Sequence, residues 1–226
     1  MMKGLRLIFQ DVFMFPCILN DDYNKETVEL FDQCMMEGPY GYKDGNFDVT
    51  VKENDMVIDA GAWVGDFSAY AVSKGAVAYA FEPMNKLFEL LKKTSELNGG
   101  KIYSIKLGLG QKEDELPIYI NEQNSEANSL YPKEYKASEI IKITTLDKFV
   151  KDNNIKKIDF IKSDIEGAER DLLRGAREVL REFAPKLAIC TYHFLEDPEL
   201  LEKIILEANP KYKVIHTRQK LFAKVD

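Results

Sequence analysis

The apolar positions of this chain fall into two alternating rhythms. Short apolar runs bounded by turn-forming residues predict buried strands at Met56 to Asp59, Val77 to Glu82, Ile102 to Leu107, Ile158 to Ser163 and Leu187 to Tyr192. Between them the apolar residues recur at helical spacing. Phe67, Tyr70 and Ala71 mark a helix ending at Gly75, and Met84, Leu87, Phe88 and Leu91 mark one that Pro83 opens and Asn98-Gly99-Gly100 ends. Ala168, Leu172, Ala176, Val179 and Leu180 form another stripe, broken near Gly175. Asp197-Pro198 starts a last helix that Asn209-Pro210 stops. Strand and helix alternating through short joins predict an α/β fold with a doubly wound, mostly parallel sheet.

The alternation pauses once. Leu116 to Ile120 and Ile140 to Thr144 read as paired strands around a polar loop, Asn121 to Glu139, followed by a short helix near Leu146. At the end, Tyr212 to Thr217 and Lys220 to Val225 are joined so closely that they must run antiparallel. The expected sheet therefore has about seven strands with the last one reversed.

Ahead of this domain the pattern is different. Leu5, Ile8, Phe9, Val12 and Phe13 share one face at helical spacing, and a second helix is expected from Asn24 to Glu37. Residues 1–45 are thus expected to be a helical extension or lid, and residues 46–226 the catalytic domain. The two helices would pack on the domain or on a twin subunit, giving a homodimer. The turn-rich segment 38–45 carries Tyr40 and Tyr42, expected gating residues, with Tyr40 touching substrate.

Composition narrows the function classes. The chain has 226 residues, 45% apolar and 31% charged, an ordinary globular balance. A net charge of −7 argues against holding nucleic acid by its phosphates. Three widely spaced cysteines, Cys17, Cys34 and Cys190, form no metal-binding spacing and predict reduced thiols in the cytoplasm. Gln10 and Asp11 interrupt the N-terminal apolar stretch, and no run approaches the ~18 apolar residues of a membrane span.

The chemistry begins at DAGAWVGDF, Asp59 to Phe67, directly after the first parallel strand. A pyrophosphate-binding turn wants G-x-G-x-x-G, but counting from Gly61 the other two positions hold Trp63 and Asp66. A carboxylate near the helix N-terminus would repel a phosphate. Gly61 and Gly65 with Asp59 and Asp66 around them suit a cationic ligand, an ammonium or a sulfonium. Glu82, ending the second strand, can accept from both hydroxyls of a ribose. The ligand that combines ribose, ammonium and sulfonium is S-adenosylmethionine.

Several motifs carry a family resemblance. D-x-GAxxGxFS at Asp59 to Ser68, FEP at Phe81 to Pro83, LN at Leu97-Asn98, TTLDKF at Thr144 to Phe149, IKSDIEGAERDLLRGA at Ile161 to Ala176 and TYH at Thr191 to His193 resemble the FkbM-family methyltransferases. The likeness runs from about residue 46 to the end. It implies a class I, Rossmann-like methyltransferase fold and O-methylation of a sugar, polyketide or other hydroxylated small molecule. The glycine turn is common to such enzymes, whereas the KxDxEGxE block is more specific.

The expected cofactor contacts are Asp59, Gly61, Ala62, Gly65, Asp66, Phe67, Glu82 and Pro83. Asp164 and His193 end neighbouring strands and are the expected catalytic pair, with His193 as base and Asp164 orienting it or binding the acceptor hydroxyl. Glu166 is a substrate candidate, as are Asn128 and Ser129 in the polar loop, read as a lid. Glu169 and Arg170 read as an exposed helix face, and Lys162 as a buried ion-pair partner or a substrate contact, the first preferred. Nothing in the spacing of Asp164, Glu166 and His193 fixes an octahedral site, so no metal is expected. Two other readings compete: a nicotinamide-dependent oxidoreductase, against which Trp63 and Asp66 speak, and an S-adenosylmethionine-binding module without catalysis.

Overall fold

The computed structural model describes residues 5–7, 16–18, 40–119 and 137–226. β1 (Leu5–Leu7) pairs antiparallel with β2 (Pro16–Ile18). This corrects the start of the expected N-terminal helix. Leu5 and Leu7 flank Arg6, so the same residues also satisfy the period-two alternation of a strand. The remainder of that helix, the helix over Asn24 to Glu37 and the homodimer through them lie outside the described residues.

A hairpin follows, β3 (Tyr42–Asp44) and β4 (Phe47–Val49). The boundary drawn between residues 45 and 46 thus falls inside one antiparallel pair. Val49 is fully buried, and the Tyr42 ring stacks on Phe222 with centroids 5.3 Å apart. β3, which falls in the expected extension, pairs with β4 of the domain.

The alternation then appears as predicted: β5 (Met56–Ala60), α1 (Asp66–Ser73), β6 (Val77–Phe81), α2 (Asn85–Leu97) and β7 (Ile102–Ile105). β8 (Gly108–Leu109), β9 (Asp114–Tyr119) and β10 (Ala137–Thr144) form a separate three-stranded sheet in the order β8-β10-β9, with β9 and β10 antiparallel. α3 (Leu146–Asp152), β11 (Phe160–Ser163), α4 (Glu169–Arg174), α5 (Arg177–Glu182), β12 (Lys186–Cys190), α6 (Asp197–Ala208), β13 (Lys213–His216) and β14 (Lys220–Lys224) complete the chain.

The main sheet has seven strands in the order β13-β14-β12-β11-β5-β6-β7. β14 is antiparallel to both neighbours, and the pairs from β12 to β7 are all parallel. The predicted architecture is therefore present, including the reversed last strand. From β5 the chain winds outward through β6 and β7, then returns to lay β11 on the other side of β5. That reversal places the ligand crevice of such a sheet at the carboxyl ends of β5 and β11.

Both faces of the sheet are covered. Ile58, Ile161, Leu187 and Ile189 meet Leu172, Leu173, Leu180, Leu201 and Ile205 from α4, α5 and α6 on one face. On the other, Val57, Phe160 and Ala188 meet Phe67 and Ala71 of α1 and Val49 of the hairpin. Strands buried on both sides read as nearly continuous apolar runs, which is why the sequence disclosed them. Among the described residues no helix is long and apolar enough to cross a membrane.

Candidate active site

The turn after β5 is built by contacts within the protein. Gly61 has φ +73°, and a Cβ there would lie 2.0 Å from the backbone oxygen of Asp164. The glycine is needed because the loop after β11 presses on the turn. Gly65, at φ +91°, starts α1, and a Cβ there would lie 2.8 Å from Leu91 Cδ1 on α2. The amides of Gly61 and Ala62 both donate to the Phe81 carbonyl, at 3.2 and 2.9 Å, tying the turn to β6.

Lys162 locks this turn from below. Its ammonium, on the buried face of β11, lies 3.1 Å from Asp59 Oδ1 and donates to the Gly61 carbonyl at 2.7 Å. Ser68 donates to the other oxygen of Asp59 at 2.6 Å. Burial by itself favours a neutral Lys162, but the carboxylates of Asp59, Asp164 and Asp66 outweigh it and keep the ammonium charged. The expectation of a buried ion-pair partner is met. Asp59 is wholly buried and spends both oxygens inside the protein, which makes it a brace of the turn.

Glu82 closes β6 beside that turn. Oε1 accepts from the Met84 amide at 2.9 Å and Oε2 from the Trp63 amide at 3.2 Å. The group is only 5% exposed, and burial pushes its carboxyl up to about 7, with Lys162 and the two amides pulling the other way. Trp63 itself has φ +50°, a left-handed conformation unusual for a bulky residue. Its ring packs with Met84, Leu87, Ile118, Ile141 and Ile143, so it joins the turn to the three-stranded sheet.

The second wall of the crevice comes from β11 and β12. Asp164 accepts from the Tyr40 hydroxyl at 2.6 Å and from the Tyr192 hydroxyl at 3.0 Å. Burial opposes its ionisation, but Lys162, Tyr40, His193 and Tyr192 together hold it below the usual carboxylate range. His193 Nε2 lies 3.6 Å from Asp164 Oδ1 and 3.6 Å from Glu166 Oε1, while Nδ1 lies 3.3 Å from Glu169 Oε2. Burial works against a charged ring here. The carboxylates of Glu166, Glu169 and Asp164 overcome it and push His193 up to about 10.

Glu169 corrects a sequence reading. It is fully buried and accepts from the amides of Ile165 at 2.8 Å and Gly167 at 3.0 Å. These bonds fold the Asp-Ile-Glu-Gly turn, in which Glu166 adopts φ +56°. Arg170 is likewise no surface residue: it meets Asp197 at 2.5 Å and stacks over the Phe194 ring at 4.5 Å. Helical spacing placed both on an outer face, but α6 packs against α4 and covers that face.

With the two walls in place, comparison with known proteins becomes decisive. A family profile for the methyltransferase FkbM domain matches residues 59–218, from the glycine turn to the last hairpin. The chain belongs to the FkbM methyltransferase family. It is 26% identical over 157 residues to the hexuronic acid methyltransferase AglP of Haloferax volcanii, covering 70% of this chain and 64% of that protein. It is also 26% identical to methyltransferase 1 of Beauveria bassiana, covering 54% of this chain and 59% of that one. This chain thus spans roughly three-fifths of the length of the curated relatives it matches. The methyltransferase FkbM from Methylobacillus flagellatus KT shares the fold at a TM-score of 0.61 and 24% identity, over 77% of this chain and 44% of that one.

Within the FkbM framework several motifs are structural. In TTLDKF, Thr145 caps α3 by accepting from the Lys148 amide at 3.1 Å, and Asp147 accepts from the amides of Glu178 and Val179 at 3.0 and 2.9 Å. That carboxylate therefore caps α5. Other expected cofactor residues differ in kind. Phe67 is buried between Tyr40, Tyr70 and Phe160, Ala62 is buried beside Leu91, and Pro83 is partly exposed after Glu82. Asp66 is partly buried in the first turn of α1, and burial raises its carboxyl against the pull of Lys162.

The fold brings Tyr40, Asp164, Glu166 and His193 together, and Asn128 and Ser129 lie outside the described residues. Two contributors are not singled out as site residues by the sequence: Tyr192 and Glu169. Tyr192 stands inside the TYH motif directly before His193, and that motif was the available signal.

Proposed function

We propose that the protein is an S-adenosylmethionine-dependent methyltransferase acting on a hydroxyl of a sugar or small molecule. The observation that carries this reading is Glu82: a buried carboxylate at the carboxyl end of β6, beside the glycine turn and next to the crevice of a parallel sheet. A ribose diol donates two hydrogen bonds, and an ionised carboxylate is the side chain that accepts both. Asp66 supplies negative charge for the amino-acid end of the cofactor, and Gly61 to Gly65 offer backbone to its middle. Membership of the FkbM family and the AglP relative support methyl transfer and a sugar acceptor. An oxidoreductase would need a place for a pyrophosphate, and the acidic turn is poor for one.

The acceptor belongs at the second wall. Methyl transfer breaks the S–CH₃ bond as the O–CH₃ bond forms, and the hydroxyl proton must leave. With its pKa near 10, His193 carries a proton at neutral pH and is a poor base in the free protein. Asp164, held ionised, suits the task better. As the oxygen–carbon bond forms, the hydroxyl becomes strongly acidic, so a weak carboxylate base suffices. Tyr40 and Tyr192 then hold Asp164 in register, and alignment with exclusion of water supplies much of the rate.

Calorimetry with S-adenosylmethionine tests the carrying observation. Glu82→Gln is expected to weaken binding by ~10–100-fold, the value of one or two charge-assisted hydrogen bonds. Because burial puts Glu82 at about 7, wild-type affinity should fall as pH drops below that value, and the glutamine variant should lose this dependence. Unchanged affinity in the variant, or preferential binding of NADH, refutes the reading.

A further inference from the structure

The three carboxylates around His193 are arranged as they are around a metal-binding histidine. Glu169 stands behind the ring, fixed by two backbone amides, with its Oε2 3.3 Å from Nδ1. A carboxylate there favours keeping the proton on Nδ1 and leaves Nε2 as the electron-pair donor, the usual means of orienting a ligating histidine. Nε2 then faces Asp164 Oδ1 and Glu166 Oε1, each at 3.6 Å. Two carboxylates facing Nε2 call for a positive charge between them, which a proton supplies in the free protein and a cation can supply in its place. The His193 side chain is 7% exposed, and among the described residues neither ring nitrogen completes a hydrogen bond of normal geometry.

We propose that Asp164, Glu166 and His193 bind a divalent transition-metal cation. Their donor atoms all lie within 4.8 Å of one another. A cation bonded at about 2.1–2.2 Å to two atoms 3.6 Å apart subtends roughly 110–120° between them, between common coordination angles and a small shift from either. The donor chemistry selects within the divalent ions. Two carboxylates and one imidazole suit Mn²⁺ or Zn²⁺, whereas Mg²⁺ and Ca²⁺ prefer oxygen alone. Two hydroxyls, Tyr40 and Tyr192, already steady the Asp164 carboxylate. The overlapping cluster of Glu169, His193 and Asp197 is a weaker candidate. Glu169 is taken by two amides, and Asp197 by Arg170 and the Phe194 amide.

Spacing along the chain fixes no metal site, because Asp164 and Glu166 are two residues apart and His193 is far along the chain. The parallel register of β11 and β12 closes that gap. A cation here would polarise the acceptor hydroxyl, and only that clause depends on the methyl-transfer reading.

The test uses the full chain after chelation, without cofactor, so its outcome is independent of S-adenosylmethionine binding. Mn²⁺ is titrated by the loss of its free-ion paramagnetic resonance signal, and Zn²⁺ by calorimetry. One saturable site per chain is expected, weakened at least tenfold in Glu166→Gln and in His193→Ala. Glu202→Gln, which alters the exposed pair with His216, should bind as the wild type does. Thermal melts identify any variant that fails to fold, and Glu166→Gln decides if His193→Ala does. Absence of saturable binding for both ions overturns the proposal. So does binding that survives both substitutions, or a Mg²⁺ site that is indifferent to His193→Ala.

Discussion

Lys162→Met is the sharpest test of how the glycine turn is held. The substitution keeps most of the side-chain volume on β11, so the change is chiefly electrostatic. It leaves Asp59, which has no exposed surface, with Ser68 as its remaining partner, and it frees the Gly61 carbonyl. Breaking a buried pair from one side costs ~3–5 kcal/mol, because the abandoned charge is stranded in a medium that solvates it poorly. With a urea slope of ~3 kcal/mol per molar, the unfolding midpoint should drop by about 1–1.7 M. Asp59→Asn in the same chain removes the stranded charge. The double variant should therefore be more stable than the sum of the single losses predicts, by at least ~2 kcal/mol. A single-variant loss below ~1 kcal/mol, or strict additivity of the two, refutes the claim that this pair braces the turn.

Other outcomes follow from the same geometry. Gly61→Ala places a methyl 2.0 Å from a backbone oxygen at φ +73° and should cost more than ~3 kcal/mol, whereas Gly45→Ala, at φ +54° in open space, should cost only ~1 kcal/mol; equal losses in urea unfolding would refute the close-approach argument. In chelated protein, His193 is raised from 6.5 to about 10, so the folded state binds its proton more tightly than the unfolded state does. That stabilisation is complete below about 6.5 and lost as pH rises through about 10. Urea midpoints should therefore fall across this interval in the wild type, and His193→Gln should flatten the fall. A wild-type midpoint that does not change there rules out the carboxylate cage as drawn.

Most of the framework was legible because parallel strands buried on both faces leave dense apolar runs, and because glycine and proline punctuate them. The β5 turn, Glu82, Asp164 and His193 could be singled out since each falls at a strand's carboxyl end, a position that period and punctuation mark. The roles within the site were harder to read. Asp59 and Glu82 look alike in sequence, each an acid at the end of an apolar strand. Lys162 occupies one, while the other faces two amides at the crevice. Glu169 and Arg170 sat on a helix face that reads as exposed until α6 is laid across it. Leu5–Leu7 satisfied helix and strand periods at once, since three residues carry too little of either period to choose.

The sequence by itself determined the element order, the reversed last strand and the candidate residues, because local periodicity and turn chemistry act over a few neighbouring residues. Only the tertiary structure decided which carboxylates pair inside the protein and which face the crevice. It also decided that Gly61 yields to the Asp164 backbone, that Trp63 packs toward the three-stranded sheet, and that His193 sits among three carboxylates. The reason is physical. A side chain's charge state and partners are set by what lies within a few ångströms, and in a parallel sheet those neighbours come from strands far apart in the chain.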